Sequence, residues 1–303
     1  MKNVFTFLLL LFSLLCNGQS PKLFTTDKEL SSSLINQIYQ DRNGFIWIAT
    51  EDGLNRYDGA KFTIYKHEPN NEHSLAHNFV RTVFEDSKGH LLIGTYIGIQ
   101  MYDPATDNFT PLAKLEDTGE TLESNINSFI ERKNGEIWVS GNVLCKLDIK
   151  DHLLTVRKVD IAVTSPGSLF EDKKQNVWMA KGEEGVYQLT PDNQLTLHLS
   201  KDNGYVKSIC EDQRGNIYVG SIRKGLFIYD KERKTFVPVD LKEKGELPVC
   251  FLYSGIPNEL YIGTDGKGVA IYNIRTHEIS EYKFDNNYFD SGNSKIHSIL
   301  KDN

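Results

Sequence analysis

The sequence predicts an all-β protein built as a β-propeller of four-stranded blades. One pattern of apolar, turn and small residues returns six times, at intervals of 40 to 46 residues, along a chain of 303 residues. Each copy contains four strand-like segments, and no helical periodicity separates them. Repeats of this length with four strands each are typical of propeller blades.

A large side chain marks one register position in the second strand of every unit, followed two places later by a small residue. The large residues are Trp47, Leu92, Trp138, Trp178, Tyr218 and Tyr261. The small residues are Ala49, Gly94, Ser140, Ala180, Gly220 and Gly263. These strands are apolar on both faces, so the aromatic residues are predicted to pack in the core and not to form a sugar-stacking surface.

A polar turn connects the first strand of a unit to the second. It stands as Asp41–Gly44, Asp86–Gly89, Arg132–Gly135, Asp172–Gln175 and Asp212–Gly215. Aspartate caps local backbone N–H groups and glycine accepts the positive φ of a tight turn, so these segments predict hairpins. Arg132 in place of aspartate and Gln175 in place of glycine leave the geometry of two turns open.

The third strand begins with Gly53 and Gly98 in the first two units, and the fourth strand is more polar in every unit. A polar fourth strand is expected at the outer, solvent-facing edge of a blade. The predicted blades are 34–66, 79–112, 125–157, 168–199, 206–238 and 248–283, with an incomplete seventh from 294. Leu23–Thr25 resembles a fourth strand without its blade, so we expect a ring that stops within its seventh blade.

The N-terminus has the layout of a secretory signal peptide over residues 1–18. Lys2 is followed by the apolar run Val4–Leu15 and a small, polar exit at Asn17 and Gly18. The predicted propeller domain is 19–303, exported to the periplasm. A lipoprotein anchored through Cys16 is the alternative. No other segment is long and apolar enough to cross a bilayer.

Composition excludes some classes of function. With 39% hydrophobic and 25% charged residues the chain is globular. A net charge of -7 without a Lys/Arg-rich run argues against a nucleic-acid partner. Cys145, Cys210 and Cys250 lie among strand-like apolar residues, so we predict buried thiols and no disulfide framework.

The units resemble the two-component regulator propeller repeat, most clearly at Asp41–Thr50 with Gly53–Asp58 and at Asp86–Thr95 with Gly98–Asp103. The resemblance covers essentially all of the chain after the signal peptide. It implies the periplasmic sensor of a hybrid histidine kinase, anchored in the inner membrane by a helix beyond this sequence and acting as a homodimer. It also implies an oligosaccharide or another nutrient as the ligand.

No catalytic constellation is evident, because the chain has neither a serine nucleophile elbow nor a phosphate-binding glycine loop. His73 and His77 have a metal-like spacing of four but lie in a loop, where that spacing does not place them on one face. We therefore predict no catalytic residue, no metal and no cofactor.

Ligand contacts are expected from loops that join second to third strands and fourth to first strands. These loops vary between units while the strands repeat, and they meet at one end of the ring. The candidate residues are Tyr96, His77, Asn78, Asn142, Arg223, Lys224, Asp265, Lys267 and His297.

Three functions remain open at this point. The first is a ligand sensor. The second is a propeller enzyme resembling streptogramin lyases, which use a histidine, acidic residues and a divalent metal in the funnel. The third is a scaffold that binds only protein.

We expect the exported protein to begin at Gln19, because Gly18 is the small residue that signal peptidase requires before the cleavage site. Intact-mass and N-terminal peptide analysis of the periplasmic fraction tests this. An acylated Cys16 as the first residue would instead establish the lipoprotein.

Overall fold

The computed structural model describes residues 22–26, 29–199, 204–241, 247–282 and 295–301. The signal peptide and Cys16 lie outside these residues. All regular elements within the described residues are β-strands, arranged in six antiparallel four-stranded blades around a ring. The predicted fold class is confirmed. None of the described segments is a helix that could span a membrane.

The strands of each blade follow one another from the centre of the ring outwards in chain order. Blades 1 and 2 contain β1 (Ile35–Gln40), β2 (Ile46–Thr50), β3 (Gly53–Tyr57), β4 (Phe62–Tyr65), β5 (Val80–Glu85), β6 (Leu91–Thr95), β7 (Ile99–Asp103) and β8 (Asn108–Phe109). Blades 3 and 4 contain β10 (Ser128–Glu131), β11 (Ile137–Ser140), β12 (Leu144–Lys150), β13 (Leu153–Lys158), β14 (Leu169–Glu171), β15 (Val177–Lys181), β16 (Gly185–Leu189) and β17 (Leu195–Leu199). Blades 5 and 6 contain β18 (Val206–Glu211), β19 (Ile217–Ser221), β20 (Gly225–Asp230), β21 (Thr235–Pro238), β22 (Val249–Ile256), β23 (Glu259–Thr264), β24 (Val269–Asn273) and β25 (Ile279–Glu281).

Blade 3 carries a fifth strand that the sequence did not indicate. β9 (Lys114–Leu115), from the connection between blades 2 and 3, pairs in parallel with the outer strand β13. The bonding continues beyond it, since the Glu116 N–H donates to the Val156 carbonyl at 2.9 Å. The outer edge of this blade is therefore covered over part of its length.

The large residues of the second strands form the core, as predicted. Trp47, Leu92, Trp138, Trp178 and Tyr218 are at most 3% exposed, and Tyr261 is half-buried. The Trp47 ring lies 4.9 Å from that of Tyr102 in blade 2, so this position packs one blade on the next.

The three cysteines of the described residues are buried and form no disulfide, as expected. Burial raises the pKa of the Cys145 thiol to about 11 and that of Cys210 to about 12. Both thiols therefore stay protonated and behave as small apolar side chains.

The small residue two places later allows the first strand of the following blade to approach closely. A Cβ on Gly94 would lie 2.7 Å from Cγ2 of Ile126, and a Cβ on Gly263 would lie 2.8 Å from Cγ2 of Ile296. Such distances leave no space for a larger side chain. The repeated small residue is therefore a condition of blade packing.

Residues 295–300 occupy the place of a seventh first strand, between blade 6 and blade 1. The Ile296 N–H donates to the Thr264 carbonyl at 2.9 Å, just as the Ile126 N–H donates to Thr95 at 3.0 Å. On the other side, Ser298 Oγ accepts the Ile38 N–H at 3.2 Å. The segment therefore lies where the first strand of the predicted seventh blade is expected, and the seventh blade itself stays a prediction.

The fourth strand predicted at Leu23–Thr25 is not formed. The Thr25 carbonyl accepts the N–H groups of Glu29 and Leu30, both at 3.0 Å, in a local turn. The Phe24 side chain nevertheless packs on blade 1, with its ring 5.1 Å from Tyr57 and 5.0 Å from Phe62. The apolar contact expected of an outer strand is present without the backbone pairing.

A buried carboxylate holds each turn of the Asp type to the core. Asp41 is 6% exposed. It accepts the N–H groups of Asn43 and Phe45 at 2.9 Å and the indole N–H of Trp47 at 2.8 Å. Asp172 repeats this arrangement, with the Trp178 indole at 2.9 Å. One side chain thus satisfies the turn and orients the core aromatic residue.

The two atypical turns keep the same backbone course. Gln175 adopts the left-handed region at φ 66° in place of glycine, and its N–H donates to the Asp172 carbonyl at 2.9 Å. In blade 3 the Gly135 N–H donates to the Arg132 carbonyl at 2.8 Å. There Glu136 takes over the bond to the Trp138 indole, at 3.0 Å.

Asp41→Ala is expected to lower the free energy of unfolding by roughly 2 to 4 kcal/mol, because two turn N–H groups and a buried indole lose their shared acceptor. Urea unfolding followed by tryptophan fluorescence measures this. Asp192→Ala, at an exposed turn, is the control and should stay within about 0.5 kcal/mol of the wild type. Equal effects of the two substitutions would contradict the structural role of Asp41.

Candidate functional site

The first strands surround the central channel and bond to one another around the ring. The Val83 N–H of β5 donates to Gln37 Oε1 of β1 at 2.7 Å, and the Leu252 N–H of β22 donates to Ser208 Oγ of β18 at 3.0 Å. These contacts between blades make the inner strands a continuous wall.

A β-bulge near the start of the first strand inserts one extra residue into four of the inner strands. The pairing with the second strand shifts register between Ile35 and Gln37, and in the same way in β5, β18 and β22. Bulges re-aim side chains and recur beside functional sites. The bulged residues are Asn36, Arg81, Lys207 and Cys250. Asn127 and His297 hold the matching place in the sequence, after Ile126 and Ile296, and the six residues together are called the channel ring below.

The two asparagines of the channel ring bond to the wall. Asn36 Nδ2 donates to the Val80 carbonyl at 2.8 Å, and Asn127 Nδ2 donates to the Pro166 carbonyl at 3.1 Å. These amides hold the inner strands of neighbouring blades in register.

The cations of the channel ring influence one another across the channel. Burial lowers the pKa of Lys207, and the positive charges of Lys295 and Arg81 lower it further, against the opposing effects of Cys250 and Asp265. Arg81 belongs to blade 2 and Lys207 to blade 5, so their charges act from well-separated blades of the ring. Burial also lowers the pKa of Arg81, although Tyr205, Glu51 and Tyr96 oppose this.

His297 lies among the same charges. Burial lowers its pKa, and Lys207 and Lys295 lower it further, while Asp265 raises it. Asp265 and Lys295 form an ion pair, with Oδ2 and Nζ 2.9 Å apart. The predicted candidates His297 and Asp265 are thus brought together, in the company of two lysines.

Other predicted residues pair between adjacent blades. The His77 and Tyr96 rings lie 5.6 Å apart, and Tyr96 is 54% exposed. Asn78 Nδ2 donates to Asp52 at 3.0 Å. Arg223 forms an ion pair with Glu183 of blade 4 at 3.0 Å.

Asn142, Lys224 and Lys267 also lie in loops at this end of the ring. Their backbone N–H groups donate to Ser124, Ser221 and Thr264 side chains at 2.9 Å, 3.2 Å and 3.0 Å. The candidates therefore share one face of the ring but do not form a single cluster. Their role in ligand binding stays a prediction.

The loops that join second to third strands and those that join fourth to first strands lie on one face, because backbone hydrogen bonds connect them. The Tyr96 N–H donates to the Phe79 carbonyl at 3.0 Å, and the Asp265 N–H donates to the Pro248 carbonyl at 2.9 Å. The same hydrogen bond is present in blade 1, from the Glu51 N–H to the Leu34 carbonyl, and in blade 5, from the Ile222 N–H to the Tyr205 carbonyl. It supports the expectation that both kinds of loop meet at one end.

Arg81, Lys207 and Lys295 are not among the residues expected from the sequence, and Lys207 lies in β18 and not in a loop. The available signal was the residue that follows the first apolar residue of each first strand. It changes chemistry from blade to blade, whereas its neighbours repeat.

A separate groove of about 690 Å³ lies between blades 4 and 5, near the turns. Its lining includes Trp178, His198 and Tyr229, with Lys173 and Lys234 at its edge. The His198 ring nitrogens are already engaged, with the Lys234 carbonyl at 2.9 Å and Gln188 at 2.7 Å. This groove lies outside the predicted loop face.

No three His, Cys, Asp or Glu side chains converge as metal ligands within the part of the chain that the structure describes. His73 Nδ1 lies 3.2 Å from the Phe109 carbonyl oxygen, whereas His77 Nδ1 accepts the Phe79 N–H at 2.9 Å. The two histidines with metal-like spacing are therefore engaged with different groups.

The fold defines a β-propeller whose loop face and channel carry its most varied side chains. Three segments, residues 29–52, 74–96 and 200–223, match the family model of the two component regulator propeller. Each segment includes the first strand of a blade. These three segments therefore carry the two-component regulator propeller repeat, and the resemblance noted in the sequence is confirmed for them.

One curated relative and two solved structures are similar to this chain. Histidine kinase P4 of Formosa agariphila is 37% identical over 83 residues, which are 25% of this chain and 6% of the kinase. The extracellular domain assigned to a hybrid two-component system of B. thetaiotaomicron has a TM-score of 0.77 at 21% identity, over 93% of this chain and 39% of that one. Virginiamycin B lyase of Staphylococcus aureus has a TM-score of 0.65 at 13% identity, over 88% of both chains. The two structural likenesses show the fold alone.

We expect the pKa of His297 to lie below about 6.5 and to rise in Lys207→Met, because that substitution removes a repelling charge. As the pH falls through 6.5, the unfolded state binds the proton first, so this histidine makes stability decrease towards acid. NMR titration of the imidazole Cε1–H measures the pKa. Arg157→Met, on the outer strand β13, is the charge-matched control, and an equal shift of the His297 pKa in both variants would contradict the electrostatic effect of Lys207.

Proposed function

We propose that this chain is the extracytoplasmic ligand-sensing propeller of a two-component regulator. The observation that carries the proposal is the match of three blades to the two-component regulator propeller repeat. The similarity of one stretch to a histidine kinase supports it. The similarity of the fold to an extracellular domain of a two-component system is in keeping with a location outside the cytoplasm.

The ligand in this proposal is an oligosaccharide or another nutrient, bound at the loop face. Exposed Tyr96, with His77 beside it, offers a surface on which a sugar ring can stack. Charged residues such as Arg223 and Asp265 lie on the same face for polar contacts. A rigid wall of inner strands with variable loops above it suits a binding site with one scaffold and many specificities.

Signalling requires that the bound and free states differ in how the propeller packs on its neighbours. We propose that ligand contacts spanning two or more loops change the spacing of adjacent blades. In a homodimer anchored in the inner membrane, this change would alter the contact with a second copy. The chain spans 6% of the length of the kinase relative, so the output belongs to the whole regulator.

A lyase is the second candidate, favoured by the likeness to virginiamycin B lyase over most of both chains. His297 is the histidine that such chemistry would use. Its neighbours are Lys207, Lys295 and an Asp265 already paired to Lys295. A histidine beside two cations and one paired carboxylate is a poor general base partner for a divalent metal.

Thermal-shift and calorimetric screening of the protein against a panel of oligosaccharides tests the sensor. One glycan class should raise Tm, because it binds only the folded state. Tyr96→Ala should weaken that binding by roughly tenfold or more, because the exposed ring loses its stacking contact. Leu153→Ala, an exposed apolar residue of β13, is the control, and equal losses in both variants would contradict a loop-face site.

The lyase is tested by incubating the protein with quinupristin and Mg²⁺. We expect no ring opening by mass spectrometry. Turnover that His297→Ala abolishes would replace the sensor by the lyase.

A further inference from the structure

We infer that Arg81 and Lys207 of the channel ring bind an anionic group of a small ligand, a carboxylate or a sulfate, at the mouth of the central channel. This inference rests on the proposed sensor function and names the chemistry of its ligand. Within the protein, the two side chains come from the inner strands β5 and β18.

Arg81 and Lys207 occupy the same bulged position in two inner strands. Each is the residue inserted by a bulge, between Val80 and Thr82 in β5 and between Val206 and Ser208 in β18. The residues on either side are buried in the wall, whereas Arg81 and Lys207 are half-buried. The bulge thus presents a charged side chain from a strand that otherwise repeats apolar and small residues.

Neither cation has a hydrogen-bonding or ion-pair partner among the described residues, although the Arg81 guanidinium lies over the Phe79 ring at 5.8 Å. The side chains of Arg81 and Lys207 make no hydrogen bond or ion pair there, whereas most other lysines and arginines on the loop face do. Lys295 is paired with Asp265 at 2.9 Å, and Arg223 with Glu183 at 3.0 Å. Glu51 acts on Arg81 from a distance without forming an ion pair with it.

Two half-buried cations without ion-pair partners lower the free energy of unfolding of the ligand-free protein. Lys207 is partly desolvated and is repelled by Lys295 and Arg81, and the opposing effects of Cys250 and Asp265 do not prevent its pKa from being lowered. A partly buried charge without a counter-ion is unfavourable, and it persists where a bound group supplies the missing charge. An overall charge of -7 makes a concentration of cations in the channel more unusual still.

The chemistry that fits is a compact anion on a polar, partly aromatic small molecule. The guanidinium of Arg81 matches a carboxylate or sulfate with two parallel hydrogen bonds, and Lys207 adds a point charge. Tyr205 and Tyr96 are 43% and 54% exposed. The Arg81 guanidinium lies over the Phe79 ring at 5.8 Å, and that ring lies 6.0 Å from the Tyr96 ring. The tyrosine rings offer stacking surface next to the anion, so an acidic or sulfated sugar suits the site.

Calorimetry with trigalacturonate, sulfated galactotriose and neutral galactotriose tests the inference. At least one acidic probe should bind the wild type, and Lys207→Met or Arg81→Met should weaken it roughly 10- to 100-fold. Neutral galactotriose should be unaffected by either substitution. Raising NaCl should weaken only the acidic probe, and the two acidic probes distinguish carboxylate from sulfate.

Arg157→Met removes the same charge from the outer edge and should leave all three affinities unchanged. A thermal melt provides a readout that a structural role would not give. Lys207→Met should raise Tm by about 1–3 °C, because an unpaired, partly buried charge is removed.

Failure of both acidic probes to bind, equal affinity in Lys207→Met and wild type, or a lowered Tm in that variant would overturn the inference. The sensor proposal would survive these results if a neutral glycan from the screen bound through Tyr96. It would fall separately if no glycan raised Tm.

Discussion

The hydrogen bonds of a buried turn carboxylate are the interaction on which each regular blade depends. Asp41 and Asp172 both accept two turn N–H groups and a core indole. In blade 2, where Leu92 replaces the aromatic residue, the Asp86 carboxylate is bonded to the His90 ring at 2.8 Å. Blade 3 keeps the indole bond through Glu136. These blades therefore share an acceptor at the turn, buried in blades 1, 2 and 4 and partly exposed in blade 3, since an unsatisfied indole or turn N–H in the core is costly.

Blade packing adds a second constraint that links the core to the channel. A small residue such as Gly94 or Gly263 lets the next first strand approach, and Ile126 or Ile296 fills that space. The close approach brings the inner strands within bonding distance of one another. Because the wall is held by these contacts, a bulge can present a variable residue to the channel without loosening the ring.

In the channel, the side chains that would bind a ligand lower the stability of the free protein. The wall satisfies its own polar groups, and Asn36 and Asn127 contribute to this by bonding to neighbouring backbone. Arg81 and Lys207 do the opposite, because each brings a charge into a half-buried place, and other cations repel Lys207 there. A scaffold of six repeated blades can tolerate such local cost, which is why repeat folds suit binding sites of changing chemistry.

The sequence by itself determined the propeller, its turns and its core, because a blade is a local unit whose residues recur at fixed register. Trp47, Gly94 and Asp41 could each be assigned a role from their repeated positions. The loop face could also be predicted, since it follows from strand order. Only the tertiary structure decided which loop residues meet, as with His77 and Tyr96 or Asp265 and Lys295. It also revealed the charges of Arg81 and Lys207 acting across the ring. Those contacts join residues of different loops and blades, and the repeat pattern of a single strand does not determine how far apart such residues lie in space.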